Sequence, residues 1–204
     1  MVLGTKDVVL QGTGYMEDEI CGKRFRISPQ SFYQVNARQT EVLYQTALSL
    51  AGLTGEETLL DAYCGTGTIG LCAADRVKRL IGVELNADAV RDAKVNARLN
   101  SVTNADFICE DAGRFMVKMA KEGHSPDVLI MDPPRSGSDE RFLRAVLECK
   151  PRTIVYVSCG PDTLARDAKF LTKGHVYRAV KAIPVDMFPH TEHCECVMKF
   201  VLEE

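Results

Sequence analysis

A glycine-rich segment carries the clearest chemical signal in the sequence. Residues 64–70 read CGTGTIG and directly follow a short apolar run. Glycines such as Gly65 allow a tight strand-to-helix turn, in which free backbone N–H groups can meet a ligand. Glu84 ends the next apolar run, where a carboxylate can bind both hydroxyls of a ribose. The pattern predicts a nucleoside-binding loop that includes Gly65 and Glu84.

Two classes of ligand fit this loop on the residues alone. One is a dinucleotide such as NAD, and the other is S-adenosylmethionine, whose ribose occupies the same crevice of a sheet. Asp61 precedes the loop and could bind an ammonium group, or serve as a loop or capping acid. Asp111 ends the third predicted strand and could accept a hydrogen bond from an adenine amino group, or cap the next helix.

A second group, residues 132–135 (DPPR), follows another predicted strand. Its two prolines fix the backbone just past the carboxyl end of that strand, where open α/β sheets hold their ligands. Enzymes that methylate amines often carry an aromatic residue after such a proline pair. Arg135 at this position argues against chemistry on an amine.

Cys159 is the candidate nucleophile. It lies at the carboxyl end of the fifth predicted strand, and Pro161 suits the first turn of the helix that follows. Backbone N–H groups and the helix dipole favour a thiolate at such a position. The other cysteines lie in apolar segments, and we interpret them as structural thiols.

The segment before the last predicted strand combines imidazole, thiol and carboxylate groups: His190, His193, Cys194, Glu195 and Cys196. A zinc site is one interpretation, but the spacing matches no common four-ligand pattern, so we expect no metal. Side chains alternate along a strand, so Glu195 should point to the opposite face from its cysteine neighbours. One face can then offer a carboxylate to the crevice.

The elements that must position these residues alternate between strand and helix patterns. Apolar runs predict strands at 58–62, 80–83, 106–109, 128–131 and 153–157. Helical spacing predicts a long helix before Gly52 and further helices at 69–76, 87–99, 112–121, 139–149 and 163–172. This alternation indicates a doubly wound, mostly parallel α/β sheet. Two final strands, 177–185 and 194–202, have no helix between them, so one should run antiparallel.

Residues 1–35 differ from the rest of the chain. Short β-rich runs at 8–10 and 25–27 lack a helical period and predict a small β segment that leads into the main domain at 36–204. Near the end of this β segment, the aromatic residues Phe32 and Tyr33 precede Gln34, whose amide can donate and accept hydrogen bonds.

Length and charge restrict the class of protein. A chain of 204 residues with 46% hydrophobic and 26% charged residues is typical of one globular domain with its own core. Its net charge of −3 excludes a broadly basic nucleic-acid coat but not a local basic groove. Neither a membrane span nor a signal peptide is evident. We therefore expect a cytoplasmic protein with reduced cysteines and no membrane partner.

Together these segments resemble the class I RNA 5-methyluridine methyltransferases over residues 25–204. The matching motifs, in chain order, are FYQVN at 32–36, LDAYCGTGTIGL at 60–71, GVELNADAV at 82–90, DPPR at 132–135, VYVSCGP at 155–161 and FPHTEHCECV at 188–197. The resemblance implies a seven-stranded methyltransferase sheet that binds S-adenosylmethionine and releases S-adenosylhomocysteine.

The resemblance also implies roles for individual residues. By position, the cofactor contacts are Gln34, Tyr63, Thr68, Glu84, Asp111 and Asp132, to which the glycine loop adds Gly65. Cys159 matches the nucleophile and Glu195 the general base. In the implied reaction the thiolate adds to C6 of uracil, C5 accepts the methyl group, and the base removes the C5 proton. The implied partner is RNA that presents a uridine in a loop or extruded from its stack.

Two features depart from that family. Its members are usually longer, with RNA-binding domains and often an iron–sulfur cluster held by upstream cysteines. Only Cys21 precedes the catalytic region here, so we expect no cluster in this chain. We interpret residues 1–35 as the tail of an RNA-contacting domain and residues 36–204 as the catalytic domain.

The sequence leaves the acceptor open between transfer RNA and ribosomal RNA. An RNA 5-methylcytidine methyltransferase is the nearest alternative, because it also uses a cysteine nucleophile, although the segment FPHTEHCE fits the uridine family better. An NAD-dependent oxidoreductase accounts for the glycine loop and Glu84. An oxidoreductase would, however, leave Cys159 and Glu195 without a shared catalytic role.

Overall fold

The structure is a computed structural model that describes residues 8–203. Its strands are β1 Met16–Ile20, β2 Lys23–Ile27, β3 Thr58–Ala62, β4 Arg79–Glu84, β5 Ala105–Cys109, β6 Val128–Met131, β7 Thr153–Ser158, β8 Tyr177–Val185 and β9 Glu195–Leu202. Its helices are α1 Ala37–Ala51, α2 Thr68–Ala73 with a 3-10 turn at Ala74–Arg76, α3 Ala87–Leu99, α4 Ala112–Lys121, α5 Glu140–Cys149 and α6 Pro161–Thr172. None of these helices is long and apolar enough to cross a membrane.

Seven strands form one sheet in the order β5-β4-β3-β6-β7-β9-β8. The first five pair in parallel, whereas β9 runs antiparallel to both β7 and β8. The strand order reverses between β3 and β6, and sheets of this kind bind ligands in the crevice at that point. The predicted doubly wound, mostly parallel sheet is therefore confirmed, including its antiparallel strand near the end.

The element boundaries show where sequence patterns succeed and fail. β3, β6, β8, α3 and α4 begin and end at the predicted residues. The predicted β-rich run at 8–10 is wrong, because those residues are exposed and lie outside any strand. The strand lies instead at Met16–Ile20. Most of its side chains face solvent, and its charged sequence, MEDEI, therefore shows no apolar run that would mark a strand. Residues 1–7 of the predicted β segment, and residue 204, lie outside the described residues.

Each face of the seven-stranded sheet has its own hydrophobic core. Leu59 packs on one face with residues of α1, α2 and α3, and Leu60 packs on the other with residues of α4, α5 and α6. Both leucines are fully buried. The alternation within β3 thus explains why helices must cover the two faces.

The β1–β2 hairpin docks on α3 through amide side chains. Asn96 Oδ1 accepts a hydrogen bond from the Arg26 N–H at 2.7 Å, and Asn96 Nδ2 donates to the Arg26 carbonyl at 3.1 Å. Asn100 repeats this pattern on Arg24, at 2.9 Å and 2.6 Å. Because the two asparagines lie one turn apart, they satisfy alternate residues of β2 as a neighbouring strand would.

The hairpin also shares the core of the larger sheet. Ile20 and Phe25 are fully buried against residues of α1 and α2. Asn96, which is fully buried, donates a further hydrogen bond to the carbonyl of Thr66 in the glycine loop at 3.2 Å. The hairpin therefore contacts the loop on which the site depends.

The division between residues 1–35 and 36–204 stays a prediction.

We predict that Asn96→Ala lowers the free energy of unfolding by about 2–4 kcal/mol, because it leaves a buried backbone N–H and two carbonyls without partners. Urea unfolding followed by circular dichroism measures the change. Lys94→Ala, on the exposed side of the same helix, is the matched control and should change stability by less than about 0.5 kcal/mol. Equal effects of the two substitutions would contradict the docking role of Asn96.

Candidate active site

The predicted site residues meet at the carboxyl edge of the seven-stranded sheet. Tyr63 follows β3, Glu84 ends β4, Asp132 follows β6 and Cys159 follows β7. Because β9 is antiparallel, its first residue, Glu195, lies at the same edge. Five residues that are far apart in the chain therefore share one side of the sheet.

The glycine loop forms the tight turn that its sequence predicts. Gly65 and Gly67 have φ angles of 54° and 81°, in the left-handed region that favours glycine. A Cβ atom on Gly67 would lie 2.9 Å from the Phe107 ring, so a larger residue does not fit there. Glu84 accepts hydrogen bonds from the Gly65 N–H at 3.1 Å and from the Asn86 N–H at 2.8 Å. These bonds hold the carboxylate beside the loop.

Asp61 is a buried carboxylate with one satisfied oxygen. Its Oδ2 accepts a hydrogen bond from the Gly70 N–H in α2 at 2.8 Å. Its Oδ1 is buried and has no hydrogen-bond partner within residues 8–203. Burial raises the pKa of Asp61 to about 7, the Gly70 bond opposes the rise, and the charge of Glu84 adds to it. Asp61 thus bonds the start of α2 through one oxygen, while its other oxygen has no partner among the described residues.

One cavity collects five of the predicted cofactor residues: Gln34, Tyr63, Gly65, Thr68 and Asp132. Tyr44 of α1 also lines this cavity, and its hydroxyl lies 2.8 Å from the Thr68 hydroxyl. Sequence analysis did not single out Tyr44, because its place in α1 is that of an ordinary core residue. The structure shows that it fixes the Thr68 side chain at the start of α2.

Tyr63 has a φ of 63°, which is uncommon for an aromatic residue and marks a strained backbone. Its hydroxyl donates to the Ser138 hydroxyl at 3.4 Å, and its ring centre lies 5.4 Å from that of Phe142. Burial raises the pKa of Tyr63 to about 12. The ring is held between the glycine loop, α5 and the loop that follows β6.

The pairing of β7 with β9 brings the candidate nucleophile and base together. Ser158 lies opposite Cys196, which sets the neighbouring residues Cys159 and Glu195 side by side at the end of the ladder. Glu195 is 4% exposed, whereas Cys159 is partly exposed. A buried carboxylate therefore lies next to an accessible thiol.

Burial raises the pKa of each acid in this cluster. The pKa of Asp132 rises to about 8 through burial and the charges of Glu195 and Asp61. Burial raises the pKa of Glu195, and the Arg135 guanidinium opposes the rise. Burial and then the two neighbouring carboxylates raise the pKa of the Cys159 thiol, against Arg135. These effects outweigh the preference for thiolate that the start of α6 suggested.

Arg135 is the functional side chain whose role the sequence analysis missed. Its position after two prolines served only to argue against chemistry on an amine. The structure sets it where its charge acts on both Cys159 and Glu195 and favours their ionised forms. The DPPR motif was the available signal, because it places a cation at a strand end.

Asp111 caps α4, as one of its two predicted roles requires. Its Oδ1 accepts a hydrogen bond from the Arg114 N–H at 2.9 Å and forms an ion pair with Arg141 at 2.7 Å. Contact with an adenine stays a prediction.

The histidine and cysteine segment before β9 shows packing contacts. His193 lies edge-on to Phe188, with ring centres 6.4 Å apart, and Cys194 Sγ lies 3.8 Å from the Val185 carbonyl oxygen. In the described part of the chain, no group of three or more His, Cys, Asp or Glu side chains could hold a metal ion.

Comparison with known families identifies the chain. Residues 7–202 match the family described as tRNA (Uracil-5-)-methyltransferase. The chain belongs to the tRNA (uracil-5-)-methyltransferase family. This match includes both the sequence motifs that resemble the family and the residues that the structure gathers at the strand ends.

Curated relatives of this family member include RNA methyltransferases of Listeria innocua and Bacillus cereus. The first is 50% identical over 203 residues, covering 100% of this chain and 45% of the relative. The second is 48% identical over 198 residues, covering 97% and 43%. The chain thus spans less than half the length of the curated relatives it matches.

Solved structures resemble this family member as well. The Pyrococcus abyssi tRNA (uracil-54, C5)-methyltransferase, solved with S-adenosyl-L-homocysteine, is 33% identical, with a TM-score of 0.81 over 98% of this chain and 49% of that chain. The tRNA m1G37 methyltransferase of M. jannaschii, at 14% identity and a TM-score of 0.72 over 95% of this chain and 58% of its own, shares the fold.

We predict that Asp61→Asn stabilises the ligand-free chain at pH 8 by about 2–4 kcal/mol and has little effect near pH 4. The raised pKa means that the folded state binds the Asp61 proton more tightly than the unfolded state does. The free energy of unfolding of the unsubstituted chain therefore falls as pH rises from about 4 to 7. Asparagine keeps an acceptor for the Gly70 N–H without the charge. Urea unfolding at both pH values measures the difference.

Asp106→Asn is the control for this experiment, because Asp106 is an exposed β5 carboxylate paired with Arg79. Its effect should be small at both pH values. A gain in stability for Asp61→Asn that does not change with pH would contradict the assignment of a buried, raised-pKa carboxylate.

Proposed function

We propose that this chain is the catalytic domain of an RNA methyltransferase that transfers a methyl group from S-adenosylmethionine to C5 of a uridine. The observation that carries the proposal is the pairing of an accessible thiol, Cys159, with a buried carboxylate, Glu195, beside an acidic cavity. The family of the chain supports uracil C5 as the acceptor over the C5 of cytosine.

The acidic cavity suits a cationic ligand. The pKa values of Asp61 and Asp132 are raised to about 7 and about 8, so a positive charge nearby would stabilise both carboxylates. S-adenosylmethionine carries an ammonium group and a sulfonium group. The phosphates of a dinucleotide at the start of α2 would lie near the Asp61 carboxylate, where like charges repel. The charge of the cavity therefore favours S-adenosylmethionine over NAD.

The residues at this edge fit the parts of that ligand. The unpartnered Oδ1 of Asp61 suits the ammonium group, and the Glu84 carboxylate beside the glycine loop suits the ribose hydroxyls. We propose Asp111 for the adenine amino group. The remaining proposed contacts line the cavity: Gln34, Tyr63, Gly65, Thr68 and Asp132.

Cys159 supplies the activation that C5 of uracil needs. The bound cofactor offers an electrophilic methyl group, but C5 is a poor nucleophile towards it. We propose that the Cys159 thiolate forms a bond to C6, and that the electron pair of the C5–C6 double bond moves onto the C4 oxygen as an enolate. C5 of this enolate then takes the methyl group.

Glu195 completes the reaction as a general base. It removes the C5 proton, and the electron pair of that bond restores the C5–C6 double bond as the Cys159–C6 bond breaks. Its raised pKa suits a group that must take up a proton. Arg135 favours the thiolate that attacks C6 and is released in the last step.

We propose an RNA substrate that presents its uridine outside a base-paired stack, because C6 must come within bonding distance of the Cys159 sulfur. The curated relatives are more than twice as long as this chain. We propose residues 1–35 as the lead-in from a further RNA-contacting domain, and residues 36–204 as the catalytic domain.

We predict that the chain forms a covalent adduct with a loop RNA that contains 5-fluorouridine, in the presence of S-adenosylmethionine. Fluorine at C5 cannot leave as a proton, so the reaction stops before Cys159 is released. Intact-mass spectrometry should detect protein, RNA and methyl group together. Cys159→Ala should abolish the adduct.

Cys109→Ala is the matched control, because Cys109 is an exposed thiol at the carboxyl end of another parallel strand, β5, at the far edge of the sheet from β8. It should leave the adduct yield unchanged. An adduct that persists in Cys159→Ala would overturn the assignment of the nucleophile.

We predict that Glu195→Gln accumulates a methylated adduct on RNA with ordinary uridine, because glutamine cannot take the C5 proton. Steady-state turnover should fall about 10²- to 10⁴-fold. Glu192→Gln, an exposed carboxylate in the same segment, should retain full turnover. Loss of turnover in Glu195→Gln without any adduct would place the role of Glu195 before methyl transfer and contradict the proposal.

A further inference from the structure

The loop that follows Asp132 is held along its backbone by helix α6. We call residues 133–139, which carry Arg135, the arginine loop. The Thr163 hydroxyl of α6 lies 3.2 Å from the Arg135 carbonyl oxygen and 3.0 Å from the Gly160 carbonyl oxygen. One side chain therefore joins the arginine loop to the residue that follows Cys159.

Arg166, one turn further along α6, holds two more carbonyls of the same loop. Its Nη2 donates to the Ser136 carbonyl at 3.0 Å and to the Ser138 carbonyl at 3.1 Å. Its Nε donates to the Asp167 carboxylate at 2.8 Å. The planar guanidinium thus connects the loop to a carboxylate in a single fixed geometry.

Asp167 is fully buried, and its contacts anchor the other end of the arginine loop. Its Oδ2 accepts hydrogen bonds from the Ser138 N–H at 2.8 Å and from the Tyr156 hydroxyl at 2.8 Å. Tyr156 belongs to β7, the strand that leads to Cys159. The carboxylate therefore ties the loop to both the helix and the strand that flank the thiol.

Gly137 is adapted to this contact. Its φ is +74°, and a Cβ atom there would overlap Arg166 Nη2 and lie 2.8 Å from Asp167 Oδ2. The backbone of the arginine loop therefore lies so close to α6 that only a residue without a Cβ atom fits at position 137.

We propose that Thr163, Arg166 and Asp167, the α6 clamp, are positioning residues that hold the Arg135 guanidinium beside Cys159. No group of the clamp has a part in the methyl transfer itself. The clamp bonds the loop backbone at Arg135 itself and at Ser136 and Ser138 after it. Its three residues all belong to α6, the helix that follows the thiol. The inference rests on the proposed nucleophilic role of Cys159.

The expected effect is electrostatic. Burial raises the pKa of Cys159, the charges of Glu195 in β9 and Asp132 after β6 raise it further, and Arg135 of the loop lowers it. If the clamp is loosened, Arg135 moves away and the two carboxylates act unopposed, so the pKa of Cys159 rises further.

The rate of alkylation of Cys159 by iodoacetamide, measured against pH by peptide mass spectrometry, tests this directly and requires no RNA. We expect Arg166→Met to raise the pKa of Cys159 by about one unit, which slows alkylation at pH 7 about tenfold. Arg135→Gln should cause a similar rise. The double variant should show no further rise, because both changes remove the same interaction.

Arg144→Met is the matched control. Arg144 is a similarly exposed helix arginine that pairs with Glu140 within α5 and does not contact the arginine loop. It should leave the pKa of Cys159 unchanged. Thr163→Val is a milder second variant and should raise the pKa in the same direction as Arg166→Met, should the latter reduce folding.

Three results would overturn the inference. They are an unchanged Cys159 pKa in both clamp variants, an unchanged pKa in Arg135→Gln, or a rise in the double variant equal to the sum of the single rises. Failure of the proposed function is distinct from these, because it appears as absence of the 5-fluorouridine adduct in the unsubstituted chain.

Discussion

Negative charge buried at the carboxyl edge of the sheet is the constraint on which the site depends. Asp61, Asp132 and Glu195 lie together in a setting that disfavours their ionised forms. The fold compensates with local donors, such as the Gly70 N–H, and with the Arg135 guanidinium. The rest of the edge follows from this arrangement, since a cavity with unmet negative charge selects a ligand by its positive charge.

Most of the fold could be predicted because buried parallel strands and amphipathic helices have different periods. β6 reads as a continuous apolar run, β3 as an apolar run that only Asp61 interrupts, and α3 shows a clear helical face. β1 was missed because its sequence, MEDEI, is dominated by carboxylates and lies in a two-stranded hairpin. Its position comes from pairing with β2, which docks on α3, and not from a pattern of its own.

The residues of the site likewise fall into those whose positions the sequence predicts and those whose positions it does not. The positions of Glu84 and Cys159 at this edge could be predicted, because Glu84 ends a strand, Cys159 follows one, and parallel strands bring their carboxyl ends to one edge. Tyr44 and Asp167 could not, because their roles arise from contacts with residues 24 and 29 positions away. A side chain whose partner is set only by tertiary packing leaves no local signal in one sequence.

The amide of Asn96 has a mechanical consequence. Its Nδ2 donates to the Arg26 carbonyl of the hairpin and to the Thr66 carbonyl of the glycine loop, so one side chain joins residues 26 and 66 of the chain. The hairpin and the glycine loop therefore share a direct mechanical link, in addition to the apolar packing of Ile20 and Phe25 against α1 and α2. A displacement of the hairpin should move the glycine loop as well, along a route that does not cross the strands of the larger sheet.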